Sequence, residues 1–323
     1  MKLILANPRG FCAGVERAIQ IAERALDLFG APVYLRHEIV HNQHVVDGLR
    51  ARGAVFVEDV AEVPDGSTVI FSAHGVAPCV WREAEERKLS IIDATCPLVA
   101  KVHLEVVQSA REGRTVFLVG HRGHVEVIGT LGHYQSCGRG TIHVIENEHD
   151  ASTVDVAADV PMSYVTQTTL SLDDTARIVA VLRQRFPQLR GPHKDDICYA
   201  TQNRQRATRE LAERCDVLIV VGARHSSNSV RMAEVASATG TATHLVPDAT
   251  HLQSEWFAGH GVIGVTSGAS VPERLVDDVV DRLRQWWPGM SVDSFGLAED
   301  LHFRLPRELE PAANRGRQAI VRM

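Results

Sequence analysis

The stretch DDICYATQNRQ, residues 195–205, decides how the chain is read. Cys198 closes a short apolar run, and a helical pattern follows, opening with Ala200-Thr201-Gln202-Asn203. Two other stretches have the same shape. RGFCAGVERAIQIAERAL (9–26) sets Cys12 between a strand pattern and a helix pattern, and SIIDATCPLVAKVHLEVV (90–107) does so for Cys96. A thiol at such a corner faces the positive end of a helix, which favours the thiolate, the form that binds metal. Working outward, strand and helix patterns alternate along the chain. KLILAN (2–7) reads as a buried strand, and GVERAIQIAERALDLF as an amphipathic helix stopped by Gly30. TVFLVG, VLIVVG and GVIGVTSG read as further strands, and VPERLVDDVVDRLRQWW as a closing helix. This rhythm predicts an α/β fold with mostly parallel sheets. A cysteine corner, a long helix, a strand, a polar corner and a second helix recur with starts near residues 12, 96 and 198. Three such units around a pseudo-threefold axis would gather equivalent corners at one point.

The 323 residues suffice for two or three cores. A net charge of −6 with no basic block before the extreme C-terminus argues against nucleic acid as main partner. No run approaches a membrane span, and MKLILANPRG is too short an apolar run for a signal peptide, so a cytoplasmic protein is expected. Six cysteines in a chain this long are not a disulfide framework. Cys79, Cys137 and Cys215 read as ordinary small core or turn residues, Cys215 within the helical run ELAERCDVL.

Other strand ends carry unusual polar sets: HNQHVV (41–46), SAHGV (72–76), GHRGHVEVIGT (120–130), TQTTLS (166–171), SSNSVRM (226–232) and TSGAS (266–270). Taken singly, Ser226-Ser227-Asn228 before a helix is a capping run. Taken together, helix N-termini with hydroxyls and imidazoles make an anion site without a basic patch, suited to phosphate or diphosphate. His41, His74 and His124 read as metal ligands, anion donors or proton carriers. Glu126 is either a first-turn residue complementing a helix dipole or the general acid of the site. Three widely spaced cysteines lack the close pairs of structural zinc. A [4Fe–4S] cluster normally takes four thiolates, so three leave one iron with an open position. The residues alone leave open a dehydration and a reductive removal of a hydroxyl from a small anionic substrate. A non-catalytic, metal-dependent anion sensor is the third reading, and Glu126 with Thr168 argues against it.

GFCAGV, HNQHVV, SAHGV, DATCPLVAKVH, TQTTLS, DICYATQNRQ and SSNS together resemble the 4-hydroxy-3-methylbut-2-enyl diphosphate reductase family, over about residues 1–285. The resemblance implies a trefoil of three α/β units around a central cluster. The units would be 14–95, 96–194 and 195–285, with strand 1–13 joining the third and a tail over 286–323 that looks like a partly ordered appendix. It implies one [4Fe–4S] cluster per chain with three protein ligands, Cys12, Cys96 and Cys198. It places diphosphate binding on His41, His74, His124, Ser226, Ser227, Asn228 and Ser270. It matches Thr168 to a threonine near the substrate hydroxyl and Glu126 to a proton donor. Val125 stands where the family often has Pro, and TSGAS where TAGAS is common. The implied reaction adds two electrons and two protons and releases the hydroxyl as water. A ferredoxin or flavodoxin is the implied electron donor. A hydro-lyase with the same cluster is the alternative.

Overall fold

The computed structural model describes residues 1–135, 139–156 and 159–309. The chain begins with β1 (Lys2–Ala6), whose outgoing loop leads through Cys12 into α1 (Ala13–Phe29). The next stretch builds a parallel sheet. It contains β2 (Val33–Arg36), α2 (Gln43–Ala51), β3 (Ala54–Val57), β4 (Thr68–Phe71), α3 (Pro78–Glu86) and β5 (Ser90–Asp93), in the strand order β3-β2-β4-β5. Cys96 then caps α4 (Pro97–Arg111), with Pro97 in the first turn, where its missing N–H costs nothing.

The second sheet holds β6 (Thr115–Val119), α5 (Val125–Gly132), β7 (Ile142–Ile145), α6 (Glu148–Thr153), β8 (Met162–Thr166) and α7 (Leu172–Arg185), in the order β7-β6-β8. Cys198 caps α8 (Tyr199–Ala212). After it come β9 (Val217–Val221), α9 (Ser227–Ser237), β10 (Ala242–Val246), β11 (Val262–Ser267), α10 (Glu273–Trp286) and β12 (Ser291–Phe295). The third sheet runs β10-β9-β11-β1-β12, so the first strand of the chain is laid between two of the last. All these pairings are parallel. The all-buried runs TVFLV in β6 and VLIVV in β9 fit strands covered on both faces by helices. The architecture is therefore α/β, three parallel-sheet units of alternating strand and helix.

Four sequence expectations need correction. The chain beyond residue 290 is not an appendix as far as Leu309. Ser291–Phe295 pair in register with Lys2–Ala6 as an edge strand, and Leu309 is fully buried in the core of the first unit beside Ile21 and Leu35. Helix α6 was not expected, because NEHDAST has no apolar period. Its cap explains it: the Asn147 side chain accepts from the Asp150 N–H. Cys215 follows the end of α8 rather than lying in it, and burial pushes its thiol up to about 12. Cys79 is exposed rather than a core residue. Cys137 lies outside the described residues. Among the described residues no helix is long and apolar enough to cross a membrane.

Candidate functional site

Cys12, Cys96 and Cys198 occupy one structural position, the extended residue just before a long helix. Each is tied to another corner by its backbone N–H. Cys12 donates to the Ala269 carbonyl (3.1 Å), Cys96 to Ala73 (2.9 Å) and Cys198 to Thr168 (3.0 Å). All three line one cavity of about 110 Å³. His41, His74, His124, Glu126, Thr168, Ser226, Ser227, Asn228 and Ser270 line it too, so the structure brings every residue singled out from the sequence to one place. Among the described residues, no lysine or arginine lines this cavity.

The helix-dipole expectation for the thiols is incomplete. Burial pushes Cys96 up to about 12 and Cys198 up to about 11, even though Cys198 Sγ accepts from the Thr201 N–H at 3.4 Å. Desolvation outweighs the helix end, and a bound cation would offset it. At least one pair of the three sulfurs lies more than 4.8 Å apart, wider than thiolates that share one ion. Three thiolates around a single zinc would be about 4 Å from one another. Among the described residues, Glu38, His41 and His225 are the set of candidate ligands whose atoms all lie within 4.8 Å, and the cysteines are not. The space between them is kept by Gly14, where a Cβ would stand 2.7 Å from Cys96 Sγ and 3.9 Å from Cys12 Sγ. A thiol triad spaced wider than one ion, with a glycine keeping clearance beside two sulfurs, fits a polynuclear cluster.

The imidazoles form a cluster of their own. His41 and His74 ring centres are 4.3 Å apart, and His124 lies 5.7 Å from the first and 6.1 Å from the second. Burial holds His124 at about 4 and His74 well below its usual range, with the neighbouring imidazoles adding to both shifts. His124 Nδ1 accepts the Glu126 N–H at 3.2 Å, so Nε2 carries the proton. That Nε2 is buried with no hydrogen-bond partner, as are His41 Nε2 and Asn228 Oδ1. Unpartnered buried polar atoms around a cavity mark where a ligand makes the missing bonds. Ser226 does not cap α9 through its side chain; its Oγ accepts instead from Ser229 Oγ at 3.1 Å. Ser270 Oγ donates to the His41 carbonyl at 3.1 Å, joining the third unit to the first.

Glu126 is buried at the start of α5. Its Oε1 accepts the Thr168 N–H at 2.7 Å and its Oε2 the Thr168 hydroxyl at 2.9 Å. Burial nevertheless raises its carboxyl to about 7. A carboxyl half-protonated near neutrality, beside a hydroxyl in the same cavity, is poised to pass protons.

Sequence reasoning missed three residues. Thr169 lines the cavity and donates to Ser227 Oγ at 3.1 Å. Glu38 Oε2 lies 3.3 Å from His41 Nδ1 and 3.2 Å from His225 Nε2. His41 then keeps its proton on Nδ1 and turns Nε2 inward. The signal for Glu38 was its place three residues before His41, which has meaning only once both flank the cavity.

The family model described as LytB protein matches residues 3–284. A 4-hydroxy-3-methylbut-2-enyl diphosphate reductase of Hahella chejuensis is 56% identical over 315 residues, 97% of this chain and 99% of that one. Its counterpart in Acinetobacter baylyi is 54% identical over 309 residues, 96% and 98% of the two chains. The solved E-1-hydroxy-2-methyl-but-2-enyl-4-diphosphate reductase of Plasmodium falciparum superposes with a TM-score of 0.91 at 39% identity, covering 95% of this chain and 96% of that one. A second solved reductase, described as the terminal enzyme of the non-mevalonate pathway, gives 0.64 at 34% identity, covering 88% and 100%. The chain belongs to the LytB protein family.

Proposed function

We propose that the chain is a 4-hydroxy-3-methylbut-2-enyl diphosphate reductase, an oxidoreductase forming isopentenyl and dimethylallyl diphosphate at the end of the methylerythritol phosphate route. The observation that carries the reading is the single cavity in which a wide thiol triad, an unpartnered imidazole cluster and the Glu126–Thr168 pair meet. Cys12, Cys96 and Cys198 would hold one [4Fe–4S] cluster per chain as its three protein ligands. When bound, the cluster would supply electrons and Lewis acidity.

The protein's own part is binding, orientation and proton supply. His41, His74 and His124, with Ser226, Ser227, Asn228 and Ser270, take the diphosphate by hydrogen bonds around its oxygens. This anchors the charged end and points the hydroxyl-bearing end at the thiol corners. Thr168 is hydrogen-bonded to Glu126 and shares the same wall, so a proton held on the Glu126 carboxyl can reach the departing hydroxyl directly or through Thr168. Two electrons and two protons are consumed, the C–O bond breaks, and the oxygen leaves as water. A ferredoxin or flavodoxin is the electron donor. The reaction is expected to run in the cytoplasm.

The test is an anaerobic assay of the purified chain with the diphosphate substrate, with and without a low-potential reductant. Both isoprenoid diphosphates should form only with reductant. Turnover without it would mark a hydro-lyase instead.

A further inference from the structure

The segment after β12 reaches all three cysteine corners. Arg204 on α8 is a fully buried arginine. Its Nη2 donates to the Gly10 carbonyl at 2.9 Å and its Nη1 to the Ala200 carbonyl at 3.2 Å. Gly10 precedes Cys12 by two positions and Ala200 follows Cys198 by two, so one guanidinium fork ties two corners together. A buried cation is costly unless it is paired. Here the counter-charge is Glu299, whose Oε2 lies 2.9 Å from Arg204 Nη1 while its Oε1 accepts Asn203 Nδ2 at 2.9 Å.

The third corner is held in the same way. Arg17 on α1 donates through Nη1 to the carbonyl of Thr95, the residue before Cys96, at 3.1 Å. Its Nε donates to the Arg304 carbonyl at 2.8 Å. Beyond Arg304 the segment is anchored by Leu305 and Leu309 in the core of the first unit. At its other end it leaves β12, which pairs with β1, the strand that leads to Cys12.

We propose that residues 297–309 form a strap that fixes the spacing of the three cysteine corners, with Arg204, Glu299 and Arg17 as positioning residues for the iron–sulfur cluster. The proposal rests on the cluster assigned above. The corners belong to different units, and none of residues 297–309 lines the cavity that the sulfurs share. Its action is through the backbone: the carbonyls of Gly10, Thr95 and Ala200 are pinned by two guanidinium groups, and the strap supplies a partner to each.

The test compares full-length Glu299→Gln and Arg17→Gln with the parent and with Asp300→Asn, whose side chain in the same segment is 99% exposed. Each protein is purified without oxygen. Iron and sulfide per chain, the lifetime of the cluster absorbance after exposure to air, and the electron paramagnetic resonance of the reduced cluster are measured. Far-ultraviolet circular dichroism checks the fold. Glu299→Gln and Arg17→Gln should lose the cluster several-fold faster than the parent and shift its resonance, with secondary structure unchanged, while Asp300→Asn should match the parent. Arg17→Lys, which keeps the charge but not the fork, should fall between. If Glu299→Gln does not fold, the Arg17 pair decides alone. Cluster lifetimes and spectra equal to the parent's would overturn the strap. A parent without iron would instead remove the cluster assignment beneath it.

Discussion

The Glu126 carboxylate accepts twice from one residue, Thr168, and burial still raises it to about 7. Its acid form therefore declines as pH rises through that value. Glu126→Gln should retain cluster and substrate affinity while turnover falls about 10²–10⁴-fold, the usual worth of a positioned general acid. Near-normal turnover at matched iron content would count against the proton-donor role. The histidines make a second case. His41 faces Glu38 through Nδ1 and leaves Nε2 toward the diphosphate site. His124 and His74 are held low by burial, and an anion favours their charged forms. Binding of inorganic pyrophosphate should accordingly take up protons and tighten as pH falls. Calorimetry in buffers of different ionisation enthalpy reads this directly, and a heat independent of buffer would refute it. Most of the polar residues lining the cavity were legible because they sit at strand ends in short polar motifs. Glu38, His225 and Thr169 were not, because each acts on another side chain and nothing local marks that contact.

At the scale of elements, helix starts carry the chemistry. Gly14 lies in the first turn of α1, where alanine would ordinarily favour the helix by about 0.5–1 kcal/mol. A Cβ there would stand 2.7 Å from Cys96 Sγ. Gly14→Ala should thus preserve the helix by circular dichroism yet cut iron loading severalfold; full loading would mean the glycine keeps no needed space. Lys101 on α4 pairs at 2.9 Å with Asp196, whose side chain is fully buried just before Cys198 and whose second oxygen accepts the Thr166 N–H at 2.9 Å. Removing one partner of such a pair typically costs about 3–5 kcal/mol. Lys101→Met should lose about that much in urea unfolding near neutral pH. Burial raises Asp196 to about 6, so the folded state holds its proton more tightly and stability falls as pH rises from the unfolded value through that point. The Lys101→Met deficit should shrink at about pH 5, where the carboxyl is largely protonated. Equal deficits at both pH values would contradict this. Buried elements such as β6 and β9 were plain from apolar runs. The edge strand β12, SVDSF, was not: it is half polar and partly exposed, and its pairing with β1 spans nearly the whole chain.

For the whole molecule, the threefold recurrence of a cysteine corner announced three α/β units meeting at one point. The sequence could not announce how the units are held at a fixed spacing. Leu309 looks like any tail residue until the first unit's core closes over it, and Arg204 looks like a solvated helix residue until its carbonyl partners are folded around it. What unites these features is a cavity whose three thiols do not all lie within 4.8 Å of one another and in which burial raises Cys96 and Cys198. The decisive measurement is iron and acid-labile sulfide per chain in protein purified without oxygen, with electron paramagnetic resonance before and after adding the diphosphate substrate. The iron and sulfide of one cluster, with a resonance that changes when the substrate binds, is the expected result. Protein that holds no iron, or a single zinc in its place, would contradict it.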